Sequence, residues 1–181
     1  MVLEVMGRFA GWIALESAIS GGADVALIPE IPYDINKAAE AIKKRQAAGK
    51  NFSVVVVSEG AFPKEGGATT HSAEGIDEKA GISVKFGGAG EKVAKELQKL
   101  TGLESRCTTL GYMQRGGTPT AYDRVLSTKY GAKAMELALE GKFGVLTVIQ
   151  NGHLSDVPLE IVVGENKEIG AVQGGTAESN V

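Results

Sequence analysis

Two hydrophobic rhythms take turns along the chain. Short apolar or β-branched runs such as "VLEVMG", "ADVALIP", "FSVVVVSEG" and "SRCTTLGY" read as strands. Between them lie longer segments whose apolar positions recur at helical spacing. "RFAGWIALESAISGG" puts Trp12, Leu15 and Ile19 on one predicted face and stops at Gly21-Gly22. Asp34 is the expected N-cap of "INKAAEAIKKRQAAG", whose stripe includes Ile35, Ala38 and Ile42, with Gly49 past its end. "GEKVAKELQKLTG" carries Val93, Leu97 and Leu100 on an amphipathic face. Thr118 is the expected cap of a further helix, with Pro119 at its first position, running to about Gly141. "GVLTVIQNG" and "LSDVPLEIVV" read as two more strands, the second weaker.

Strand and helix in repeated alternation predict an α/β fold: an open, mainly parallel sheet with helices on both faces, three-layered and Rossmann-like. The continuous apolar run of "FSVVVVSEG" fits a strand buried on both sides. Residues 61 to 88 break the rhythm and are expected to form a long loop. There is no internal repeat. The chain enters a strand at once and its last dozen residues close no element, so a segment of a longer polypeptide is expected.

Composition narrows the function. A 181-residue chain with 43% hydrophobic and 23% charged residues is ordinary for a globular domain. The net charge of −3 and the absence of a basic stripe argue against a nucleic-acid partner. No apolar stretch is long enough to span a bilayer and no signal sequence opens the chain, so no membrane partner and a cytoplasmic location are expected. The single cysteine, Cys107, lies in an apolar run and is expected to be a buried thiol. His71 and His153 lie far apart, in settings that suit neither zinc nor a catalytic triad, and are expected to be surface residues. "FGGAGEKVAKE" has neither phosphate-loop nor dinucleotide spacing.

Ligands of open α/β sheets sit at the carboxyl ends of the strands. Those ends carry Met6-Gly7-Arg8, then Ser58-Glu59-Gly60, then the corner from Tyr112 to Gly117 with Arg115. Arginine forks suit phosphate, glycines let backbone N–H groups approach an anion, and a carboxylate accepts from sugar hydroxyls. The set fits a phosphorylated polyol. Taken singly, each arginine is more often a surface charge. Arg106 starts the strand that leads to Arg115, and six residues at about 3.3 Å each separate the two by roughly 20 Å. It is either a surface charge or a residue that reaches a neighbouring subunit's pocket.

"EVMGRFAGWIALESAISGGADVALIPE", "VVVVSEGA" and "TTLGYMQRGGTPTAYDRVLSTKYGAKAMEL" together resemble the 6-phosphofructokinases over roughly residues 2 to 150. The likeness is to the C-terminal half, and to the branch that includes pyrophosphate-using members. It implies a phosphofructokinase lobe acting in glycolysis on fructose 6-phosphate, phosphorylated at its 1-hydroxyl to fructose 1,6-bisphosphate, with magnesium and either ATP or pyrophosphate. It implies that Met6, Gly7 and Arg8 line the sugar-phosphate site, Glu59 binds sugar hydroxyls and Arg115 grips the 6-phosphate. Arg106 would serve a neighbouring subunit of a homo-oligomer. Tyr112 stands where many members have histidine, and its hydroxyl can still donate to phosphate.

The resemblance also sets a limit. The Gly-Gly-Asp donor loop and the Thr-Ile-Asp motif with the catalytic aspartate do not occur in this sequence. No catalytic residue, metal ligand or cofactor motif is therefore expected in it, and the chain alone is expected to be inactive. The implied organisation is a sugar-phosphate-binding lobe at 1–113, a segment at 114–163 that packs on the donor lobe, and a truncated tail at 164–181. A non-catalytic sugar-phosphate-binding or regulatory module is the alternative, and a fragment whose pocket never forms is a third reading.

Overall fold

A computed structural model describes residues 1–65, 87–163 and 169–170. Most of the expected long loop, with His71, and most of the tail lie outside the described residues. Chain contacts divide the described residues into two units, one from Met1–Arg115 with 169–170 and one from Gly116 to 163.

The first unit is built on four parallel strands: β1 (Val2–Val5), β2 (Val25–Leu27), β3 (Val55–Ser58) and β4 (Cys107–Thr109). Their order in the sheet is β2-β3-β1-β4. Three helices connect them: α1 (Trp12–Gly21), α2 (Ile35–Ala47) and α3 (Ala89–Thr101). The side-chain period of two sorts the β3 valines between two cores. Val55 and Val57 join Ala38, Ile42, Val93 and Leu97 beneath α2 and α3. Val56 joins Val5, Ala14, Ala18 and Ile28 beneath α1. Helices therefore cover both faces, as the alternation of elements requires.

Asp34 caps α2 as expected, accepting from the Asn36 N–H at 3.0 Å. Of the expected contact face of α1, only Leu15 packs against the core. Ala14 and Ala18 are buried, whereas Trp12 is 37% and Ile19 74% exposed. The reason is close approach: a Cβ on Gly11 would lie 2.5 Å from the Ile28 Cβ. Only a row of small residues fits against the sheet at that spacing, which pushes the large side chains to the flanks. On α3 the buried row ends at Leu97, and Leu100 is partly exposed. Cys107 is only partly buried, at the edge strand, and burial still pushes its thiol pKa up.

The second unit holds α4 (Ala121–Leu139) and two strands, β5 (Val145–Gln150) and β6 (His153–Pro158). The cap of α4 is Thr120, not Thr118. Its hydroxyl accepts from the Asp123 N–H at 3.2 Å, and the Asp123 carboxylate accepts from the Thr120 N–H at 2.8 Å. This reciprocal capping box satisfies two N–H groups at once, which a Thr118 cap before Pro119 could not do. β5 and β6 do not extend the parallel sheet. They pair antiparallel with each other through Asn151 and Gly152, both at positive φ. Asn-Gly favours this tight hairpin turn, and a two-residue connection forbids a parallel crossover.

Candidate functional site

The winding of the sheet locates the site. β1 leads to β2 through α1 on one face, and β3 leads to β4 through α3 on the other. β1 and β3 are neighbours, so their carboxyl ends mark the place where the winding reverses and a crevice opens.

Gly7 and Arg8 leave β1 at this place, and Glu59 leaves β3. The Glu59 Oε1 accepts the Gly7 N–H at 3.2 Å and the Arg8 N–H at 3.0 Å. The Glu59 N–H in turn donates to the Val5 carbonyl at 2.9 Å. Holding both N–H groups on one oxygen needs an unusual corner, and Gly7 sits at φ 146° and Arg8 at φ 50°. For a residue with a side chain that conformation costs roughly 1–2 kcal/mol. Gly60 completes the corner, because a Cβ there would collide with the Arg8 carbonyl. Beneath Gly7 lies Ser58, fully buried, whose Oγ has no hydrogen-bond partner among the described residues.

The other wall is a 3-10 turn, Gly111–Arg115, that follows β4. Tyr112 is 81% exposed, and the Arg115 guanidinium lies 6.0 Å from its ring centre, at the outer limit of a cation–π contact. Gln114 is the half-buried side chain of this turn. Its Oε1 accepts the Met6 N–H at 3.2 Å, and its Nε2 donates to the Gly111 carbonyl at 3.1 Å.

Charge is distributed unevenly among the arginines of this unit. Arg45 pairs with Asp24 at 2.9 Å and Arg106 with Glu104 at 2.7 Å. Arg8 and Arg115 have no carboxylate partner among the described residues, and both are exposed at the carboxyl edge. Arg106 lies at the opposite edge, where its carbonyl accepts the Val2 N–H at 2.8 Å.

Of the seven residues expected at the site, Gly7, Arg8 and Glu59 are thus joined directly. Met6 is tied through Gln114 to the turn carrying Tyr112 and Arg115, and Arg106 stands apart. Two residues that sequence reasoning passed over also matter. Gln114 is one; its signal was a polar amide beside the flagged arginine. Glu4 is the other, a carboxylate only 1% exposed in the middle of β1. It accepts the Gly90 N–H at 2.6 Å and the Gly88 N–H at 3.1 Å, which fixes the start of α3 on the sheet. Its signal was a charge inside an apolar run. Among the described residues no three His, Cys, Asp or Glu side chains group as metal ligands, and no magnesium step is assigned to them. No described helix is long and apolar enough to cross a membrane.

An all-parallel sheet covered on both faces, with a glycine corner where its winding reverses, defines an α/β protein of the doubly wound class. The family model described as phosphofructokinase matches residues 1–138, and the chain belongs to that family. It is 48% identical over 170 residues to the ATP-dependent 6-phosphofructokinase 2 of Clostridium perfringens, covering 93% of this chain and 46% of that protein. The chain therefore spans about half the length of this curated relative. Among solved structures, Pichia pastoris phosphofructokinase in the T-state is similar at a TM-score of 0.66 and 31% identity, over 88% of this chain and 16% of that one. The pyrophosphate-dependent phosphofructokinase of Marinobacter aquaeolei is similar at a TM-score of 0.69 and 25% identity, over 93% of this chain and 41% of that one.

Proposed function

We propose that the chain is the fructose-6-phosphate-binding part of a 6-phosphofructokinase and holds the sugar phosphate at the carboxyl edge of its sheet. The observation that carries this reading is the pair of arginines without a carboxylate partner among the described residues, Arg8 and Arg115, on either side of the corner braced by Glu59. Glu59 spends Oε1 on two backbone N–H groups, and Oε2 takes no hydrogen bond among the described residues. That oxygen is the acceptor for a sugar hydroxyl. Arg115 is the ligand for the 6-phosphate, with the Tyr112 hydroxyl as a further donor. Met6 and Gly7 form the floor beside it.

In the intact enzyme, magnesium with ATP or pyrophosphate supplies the phosphoryl group that passes to the 1-hydroxyl. The residues of this chain bind and orient the acceptor sugar, and the chain alone carries out no transfer. Arg106 acts at the pocket of a second copy, because it projects from the edge opposite Arg8 and Glu59.

Titration calorimetry of the 181-residue chain with fructose 6-phosphate tests the reading. Replacing Arg115 by Ala removes a charge-assisted contact, so binding should weaken about ten- to a hundredfold, while affinity for unphosphorylated fructose should not change. Equal loss for both sugars would remove Arg115 from the phosphate. A coupled assay that detects fructose 1,6-bisphosphate made by the chain alone would overturn its assignment as acceptor half only.

A further inference from the structure

The two walls of the proposed pocket come from different strands, and one side chain joins them. We infer that Gln114 is a positioning residue that sets Arg115 against the Met6–Arg8 corner; this rests on the sugar-phosphate reading above. The turn Gly111–Arg115 has few other anchors. The Leu110 N–H donates to the Glu4 carbonyl at 3.1 Å and the Met113 N–H to the Leu110 carbonyl at 3.2 Å. Gly111 stands at φ 51°, a flexible start for the turn. The Tyr112 and Met113 side chains are about four-fifths exposed, and the Tyr112 ring meets the turn only at the Arg115 guanidinium, 6.0 Å from its centre.

The Gln114 amide does two things at once. Its Nε2 closes the turn on its own first carbonyl, and its Oε1 fastens the turn to the first N–H beyond β1. Arg115 is the next residue, and Arg8 lies two residues beyond Met6 in the corner that Glu59 braces. Fixing these two points before the ligand arrives removes an ordering cost that binding would otherwise carry. Gln114 therefore acts on the ligand through Arg115 and does not touch it.

The test is a double-mutant cycle read by calorimetry with fructose 6-phosphate on the full chain. Gln114→Leu keeps the bulk and removes both bonds, and affinity should fall about tenfold, the net worth of one or two hydrogen bonds. In an Arg115→Ala background the same change should cost almost nothing, because there is no guanidinium left to aim. Full additivity, or unchanged binding by Gln114→Leu, overturns the inference. Gln114→Glu covers the case in which the leucine variant does not fold. It keeps the acceptor for Met6 and loses the donor to Gly111, so it should bind with intermediate affinity, and wild-type affinity there also overturns the inference. If the wild-type chain binds no fructose 6-phosphate, the reading of the pocket itself falls, an outcome distinct from an unaffected Gln114 variant.

Discussion

The Arg8 backbone N–H donates to the Glu59 Oε1 at 3.0 Å, so the carboxylate braces the same corner whose arginine faces solvent. One side chain just past β3 thereby braces the loop leaving β1. The other oxygen takes no hydrogen bond among the described residues. Glu59→Gln separates the two tasks: an amide oxygen still serves both N–H groups, but the second position becomes a donor. Fructose 6-phosphate affinity should drop about tenfold with little change in stability, while Glu59→Ala should also lose ~1–3 kcal/mol of stability. Calorimetry beside urea unfolding reads both. A glutamine variant with wild-type affinity would show that Glu59 only fastens the loop.

Gly60 tests the corner sterically. Its Cβ would meet the Arg8 carbonyl, a backbone group that can yield only if the corner moves. Gly60→Ala should therefore destabilise the fold by about 1–3 kcal/mol and abolish sugar-phosphate binding. Gly21→Ala is the contrast, since nothing lies within 4 Å of a Cβ at that helix end. It should leave binding untouched. Equal behaviour of the two variants in unfolding and titration would sink the steric account.

Much of this was legible in the sequence, for reasons that particular residues make plain. The continuous valines of β3 announced a strand buried on both faces, and Asp34 announced its helix, because both signals are local. The face of α1 was legible only at Leu15. Trp12 and Ile19 carry the hydrophobicity, but the spacing to the sheet is set by Gly11 against Ile28, a contact between residues far apart in sequence. The true cap of α4 was visible in retrospect, since Thr120 and Asp123 have capping-box spacing, yet Pro119 drew attention two residues too early, to Thr118. Asn151-Gly152 was likewise a local hairpin signal, overshadowed by the expectation of a mainly parallel sheet. Gly7, Arg8 and Glu59 were legible as strand-end residues. Their shared hydrogen bonds were not, and neither was the bridge made by Gln114, because sequence spacing carries no side-chain direction.

Tyr112 offers a pH signature. The Arg115 guanidinium lies over its ring at 6.0 Å. Tyr112→His introduces a group with an unperturbed pKa near 6.5 in its place. Protonated imidazole attracts phosphate, so the variant should bind fructose 6-phosphate more tightly as pH falls through about 6.5. The phosphate titrates nearby as well, so the variant is compared with wild type at each pH, which cancels the ligand's own proton. A ratio that stays flat from pH 8 to about pH 6 would place residue 112 away from the phosphate.

Tyr33 makes the stability of the first unit fall in alkali. It is buried in the core beneath α2 and α3, and burial, followed by the Glu96 charge, pushes its pKa from 10.0 up to about 12. In the unfolded chain the phenol ionises near its ordinary value. Below about pH 10 both states hold the proton and the contribution is complete. Between roughly pH 10 and 12 the unfolded state holds fewer protons than the folded one, so stability falls as pH rises. The loss from this one group should reach roughly 2–3 kcal/mol at the top of that window. Tyr33→Phe removes it, and the pH dependence of urea unfolding should be shallower in the variant by that amount. The two proteins are otherwise identical, so the difference between their curves isolates this one group. Parallel curves for the two proteins through that window would mean that the Tyr33 hydroxyl reaches water in the folded state.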